Sequence, residues 1–176
     1  TGTRKTIPMI NRILRYALIF VLLLLLQLFL FNNIQFSGYV NPYVYILFIL
    51  LLPVDIPAWL LLIISFFTGL IIDLLTGTPG MHTAATVLAG FARPYVLRLF
   101  SPREGYETGA DPSMFVYGFK WFLLYTVFIV LLHHTLLFYL EVFRLSDFFN
   151  TFLRVLLSSI FSITFILLLE YIRKGK

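Results

Sequence analysis

Pro53-Val54-Asp55-Ile56-Pro57 interrupts an apolar tract running over residues 43–75, and the reading of that pentapeptide decides the fold. One helix through both prolines would be far longer than the roughly 30 Å hydrocarbon core of a bilayer, and it would bury two helix breakers. A tight turn is therefore expected there. It leaves a short second helix over 43–52, about 15 Å at 1.5 Å per residue, and a full third helix over 58–75.

Toward the N-terminus, Arg4, Lys5, Arg12 and Arg15 introduce an apolar run over 14–31 broken by almost nothing but Gln27. A secretory signal would have a shorter core and small residues at a cleavage site, whereas Asn32, Asn33, Ile34 and Gln35 follow here. The segment is expected to be retained as a first transmembrane helix. Position 1 is Thr, so the native start is expected upstream. The uncharged stretch 32–42, with Ser37, Gly38, Asn41 and Pro42, reads as a short extracytoplasmic loop.

Toward the C-terminus, Thr76-Gly77-Thr78-Pro79-Gly80 ends the third helix, and 81–97 makes a fourth, rich in Ala, Thr and Gly. The one sizeable hydrophilic loop spans 98–113. Residues 116–140 and 152–169 form the fifth and sixth helices, the last ended by Glu170, Arg173, Lys174 and Lys176.

Composition agrees with this layout. Among 176 residues, 60% are hydrophobic and 12% charged, and the mean hydropathy is +0.96. A soluble domain carries about twice that charged fraction, and a water-exposed surface of this composition would aggregate. The expectation is an all-α polytopic membrane protein, one integral membrane domain over 1–176 with six transmembrane helices, the second one short. No room is left for a soluble catalytic domain. The absence of cysteine removes disulfides, thiol nucleophiles and Cys-based metal sites. The net charge of +5 suggests nucleic acid until the basic residues are located. They lie beside apolar runs and so report topology, not nucleic-acid binding.

Six spans place eleven of the thirteen Lys and Arg on one side, with Arg144 and Arg154 opposite. Five spans would send the basic tail outward, against the positive-inside bias. The expected topology has both termini inside.

Asp73 is the sharpest single residue, because an ionisable group within a transmembrane helix is a functional hypothesis by default. Ser65, Gly69, Asp73 and Gly77 recur every four residues and share one helix face. Small residues there allow close approach of a neighbouring backbone. The fourth helix offers Ala85 with Ala89 and Thr86 with Gly90 at the same interval. Two readings stand: a packing seam whose Asp bonds the Gly-rich turn that includes Gly80, or a transport or catalytic role.

His82, at the start of the fourth helix, and His133 and His134, in the fifth, fall at the level of Asp73. Neighbouring residues point about 100° apart on a helix, so His133 and His134 make a poor chelate. Interfacial or packed histidines are expected, with no metal and no cofactor. Signatures such as H-E-x-x-H, G-x-S-x-G and G-x-x-x-x-G-K-[ST] do not occur, nor does a paired acidic motif for magnesium. Asp55 between its prolines reads as a turn residue. The thirty Phe and Tyr residues read as lipid-facing and interfacial side chains.

Two stretches together resemble the rod shape-determining protein MreD family. Asn41-Pro42-Tyr43-Val44-Tyr45-Ile46-Leu47, leading to Pro53, is similar to the family's short second helix. Phe66-Phe67-Thr68-Gly69-Leu70-Ile71-Ile72-Asp73-Leu74-Leu75-Thr76-Gly77, followed by Gly80, is similar to its motif F-x-x-G-x-x-x-D-x-x-x-G. With length and span layout the likeness covers nearly the whole chain, although the fifth and sixth helices match only in hydropathy. It implies a non-enzymatic inner-membrane component of the elongation machinery, with a fold similar to the substrate-binding subunits of energy-coupling-factor vitamin transporters. It also implies an MreC-like bitopic partner and, indirectly, an MreB-like filament and the glycosyltransferase and transpeptidase pair that lengthens peptidoglycan, in contact with membrane lipid.

A competing function from another class is a substrate-capture subunit of a vitamin or metal transporter, with an outward polar pocket at the Asp73 and histidine level. A lipid-modifying enzyme has only isolated polar residues in its favour.

Overall fold

The computed structural model describes residues 9–34, 40–143 and 147–174, and for Met9 and Lys174 the backbone alone. Helix α1 covers Met9–Phe29 and is followed by a 3-10 turn, Phe31–Asn33. Then come α2 (Leu47–Leu51), α3 (Ala58–Thr76), α4 (Met81–Leu99), α5 (Met114–Tyr117), α6 (Phe119–Val142) and α7 (Phe148–Lys174). No strand occurs among the described residues.

Four segments are long and apolar enough to cross a membrane: Ile10–Asn33, Ala58–Thr76, Phe119–Val142 and Phe148–Arg173. Helix α4 matches α3 in length, 19 residues each, but Arg93, Arg98 and its small residues dilute its hydropathy. Helix α2 is only five residues, about 7.5 Å, shorter than the helix expected over 43–52. The expected fifth helix divides at Gly118, whose φ of 88° separates α5 from α6. The last helix is longer than expected at both ends. Of the expected outer loop, residues 35–39 lie outside the described set, as do Arg4, Lys5, Arg144 and Lys176.

The organisation is that of a bundle built around α2. All five α2 residues are buried, packed with Leu23 of α1, Leu61 of α3, Ala89 and Leu97 of α4, and Phe122, Ile129 and Val130 of α6. The outer surface is rich in large apolar side chains: Leu14 is 62% exposed, Phe29 74% and Leu74 75%. In water such a surface would drive association; in a bilayer it is simply solvated by acyl chains.

The α3–α4 hairpin follows from its glycines. Gly77 ends α3 at φ 70°, its N–H bonded to the Asp73 carbonyl at 2.9 Å, and Gly80 opens α4 at φ 82°. Along the shared face, a Cβ on Gly69 would sit 2.5 Å from the Thr83 Cα. One on Gly90 would sit 2.9 Å from the Ser65 Cβ. The backbone contact at Gly69, and the seating of the Ser65 side chain against Gly90, both require the missing side chains. Gly77 differs from the expectation that placed it on the packing seam. Neither it nor Gly80 has a neighbour within 4 Å of a built Cβ, so both serve the left-handed turn and not close packing.

Candidate functional site

The polar interior falls into two layers, one at the histidine end of the bundle and one at the arginine end, joined by residues 40–54 with α2 at their centre.

At the histidine end, Asp73 is 4% exposed. Its Oδ1 accepts from the His82 N–H at 3.0 Å and the Thr78 hydroxyl at 2.9 Å. Its Oδ2 accepts from the Thr83 N–H at 2.9 Å and the Thr83 hydroxyl at 2.6 Å. A carboxylate has about four lone-pair sites, and four donors occupy them here. The first turn of α4 has unsatisfied N–H groups and the positive end of the helix dipole, so Asp73 caps that helix from the one before it. The fold places this charge where a helix terminus needs it, with no acceptor left over for a metal or substrate.

Beyond Asp73 the imidazoles join a directed chain of hydrogen bonds. The Tyr45 hydroxyl stands 3.0 Å from His82 Nδ1, 2.7 Å from His133 Nε2 and 3.2 Å from Thr86 Oγ1. His133 Nδ1 lies 3.3 Å from His134 Nδ1, which also lies 3.0 Å from the Val130 carbonyl. His134 Nε2 lies 2.9 Å from Ser162 Oγ. A carbonyl only accepts, so His134 Nδ1 carries a proton, and with one N–H per ring its Nε2 accepts from Ser162. His133 Nδ1 then accepts, its Nε2 donates to Tyr45, and Tyr45 donates to His82. Thr86 in turn donates to the His82 carbonyl at 2.7 Å. His133 and His134 thus diverge, one toward α4 through Tyr45 and the other toward α7. No group of three or more metal-ligating side chains occurs among the described residues.

The same end holds the N-terminal side of the buried segment. Residues 41–45 are not helical, and their N–H groups need acceptors. The Asn41 N–H donates to Ser158 Oγ at 3.1 Å and the Tyr43 N–H to Ser162 Oγ at 2.9 Å. Gln27 Oε1 accepts from the N–H groups of Val44 and Tyr45 at 2.8 and 3.3 Å. Non-helical backbone buried from solvent persists where protein satisfies its polar groups, and α1 and α7 do so here.

At the arginine end the need is opposite, because α2 terminates in free carbonyls. Arg93 is 1% exposed and donates to the Leu52 carbonyl, to the Pro53 carbonyl at 3.2 Å and, through Nε, to the Tyr125 hydroxyl at 2.7 Å. Tyr125 donates onward to the Leu50 carbonyl at 3.1 Å. Arg93, which the sequence groups with the basic flank of α4, is here a buried cap of the α2 carbonyls.

The hydrophilic loop, which begins only after α4 ends at Leu99, folds under this end. Arg15 and Tyr16 both bond Asp111, the Val54 N–H donates to the Ala110 carbonyl at 3.1 Å, and Tyr106 donates to the Leu97 carbonyl at 2.7 Å. Burial pushes the Tyr106 phenol pKa up, which keeps the proton it donates. Ser113 donates to the buried Glu170 at 2.7 Å, and Arg173 pairs with the same carboxylate at 2.7 and 2.9 Å.

Ser65, Gly69, Asp73, Thr86, Gly90 and the three histidines therefore line the α3–α4 interface and the layer beside it. Gln27, Tyr45, Arg93, Tyr125, Ser158, Ser162 and Glu170 were missed as interior groups. Three left a signal: Gln27 as the break in an apolar run, and Ser158 with Ser162 as small polar residues four apart in another. Fold and interior define an all-helical protein with candidate membrane spans and a hydrogen-bonded polar core. No family model, curated protein or solved structure matches the chain.

Proposed function

We propose that this chain is a non-enzymatic scaffold of the bacterial inner membrane that supports peptidoglycan synthesis during cell elongation, as its resemblance to the MreD family implies. Its topology would be six crossings with both termini inside, residues 40–54 serving as the second. The reading is supported by one observation above all: the Tyr45 hydroxyl fills the point between His82, Thr86 and His133. A capture subunit would need a polar pocket at that level. Here the polar groups bind one another, and the residues of the Gly69 and Asp73 motif join α3 to α4.

Partners are an MreC-like bitopic protein and, through it, an MreB-like filament and the synthase pair. The test is copurification with such a bitopic protein, together with rescue of cell shape in a strain lacking the chain. Rescue without any stable partner would contradict a scaffold. Topology is tested by Gly105→Cys and Pro79→Cys, both at exposed positions, in this Cys-free chain. They should label from opposite sides of intact cells; labelling of both from outside would contradict six crossings. Ser37, the other natural choice for the outer position, lies outside the described residues.

A further inference from the structure

A groove of about 650 Å³ runs between α1 and α3, within the range of small-molecule sites, about 300–1,000 Å³. Ala17 and Phe20 form one wall, Ile64 and Phe67 the other, and Phe48 and Leu52 the floor. Its lining residues run from Pro57, at the N-cap of α3, to Ile71 within it, about 21 Å along the helix axis. They cover a shorter stretch of α1, from Arg12 to Phe20, about 12 Å. That extent matches one leaflet, half of a core roughly 30 Å thick. A transmembrane helix, about 10 Å across and crossing both leaflets, fits it poorly.

The mouth, at the arginine end, carries one charge of each sign. Arg12 lines it from α1 and Asp55 from the turn before α3. Gly109 holds both, its carbonyl accepting from Arg12 Nη2 at 2.8 Å and its N–H donating to Asp55 Oδ2 at 3.0 Å. The neighbouring Arg15 is paired with Asp111, so among the described residues that line the groove the mouth presents one cation, Arg12, and one carboxylate, Asp55.

The geometry points to a bound phosphatidylethanolamine: an acyl chain lies in the groove, the phosphate meets Arg12 and the ammonium meets Asp55. A headgroup bearing phosphate alone would meet Arg12 equally but place its anion beside Asp55 without an ammonium to pair it. The site requires a membrane and is independent of the scaffold function.

The test is native mass spectrometry of the purified chain after reconstitution in nanodiscs of equal phosphatidylethanolamine and phosphatidylglycerol with matched acyl chains. The wild type should retain the ethanolamine lipid several-fold over the glycerol lipid. Asp55→Asn should bring that ratio near one, and Arg12→Gln should lower retention of both. Ala17→Trp and, on the facing wall, Ile64→Trp fill the groove and should each abolish retention; two variants keep the location testable if one fails to fold. Equal retention of the two lipids by the wild type, an unchanged ratio in Asp55→Asn, or lipid retained by a folded groove-filled variant would overturn the proposal. So would crosslinking of a partner helix into the groove in place of lipid.

Discussion

The two ends of the buried segment face opposite chemical problems and meet them with different residues. At the histidine end the chain presents N–H groups, and neutral acceptors from α1 and α7 suffice: Gln27, Ser158 and Ser162. At the arginine end it presents carbonyls, and a buried guanidinium with its tyrosine meets them. The direction of the backbone decides which sign is tolerated inside. A carboxylate belongs where a helix begins, as Asp73 does at α4, and a cation where a helix stops, as Arg93 does after α2.

The largest effect should come from Gly69→Leu, because it breaks the α3–α4 contact that carries both layers. The added side chain meets the α4 backbone, which cannot give way as a side-chain tip could. The variant should lose its monodisperse peak in detergent size-exclusion chromatography. A well-folded monomer that had lost only its partner would move this seam from the inside of the chain to an interface.

Next in size is Arg93→Ala, which leaves buried carbonyls without donors. A loss of about 3 kcal/mol or more is expected, read as a lower melting temperature in detergent. Gln27→Ala should cost less, about 1–3 kcal/mol, because neutral N–H groups lose one shared acceptor. Equal losses at the two sites would remove the asymmetry between cationic and neutral capping.

Asp73→Asn keeps the shape and part of the acceptor set, whereas Asp73→Leu removes every acceptor, so Asn should be the milder in both melting temperature and cell-shape rescue. The smallest effect is expected for Tyr45→Phe. It deletes one hydroxyl at the centre of the histidine chain, for about 1–2 kcal/mol. A larger loss than for Arg93→Ala would shift the centre of stability to the histidine end.

The hairpin was legible because its residues are local. Gly69, Asp73 and Gly90 repeat at helical intervals, and the turn between the helices is written in Gly77, Pro79 and Gly80. The α2 region was not, because Tyr43, Val44 and Tyr45 look like the start of an apolar helix. What satisfies their non-helical backbone lies far away in sequence, in Gln27 and Ser162. Arg93 was hidden for a related reason. Five residues from Arg98, it looked like part of a basic flank, and only the position of α2 turns it into a cap.

On the scaffold reading, the buried polar residues act by holding the bundle together, so a variant fails only as far as it fails to fold. The most direct measurement plots cell-shape rescue against the amount of folded protein in the membrane for Asp73→Asn, Tyr45→Phe and Arg93→Ala. All three should fall on one curve with the wild type at reduced expression. A variant folded at wild-type levels that fails to restore shape would contradict it.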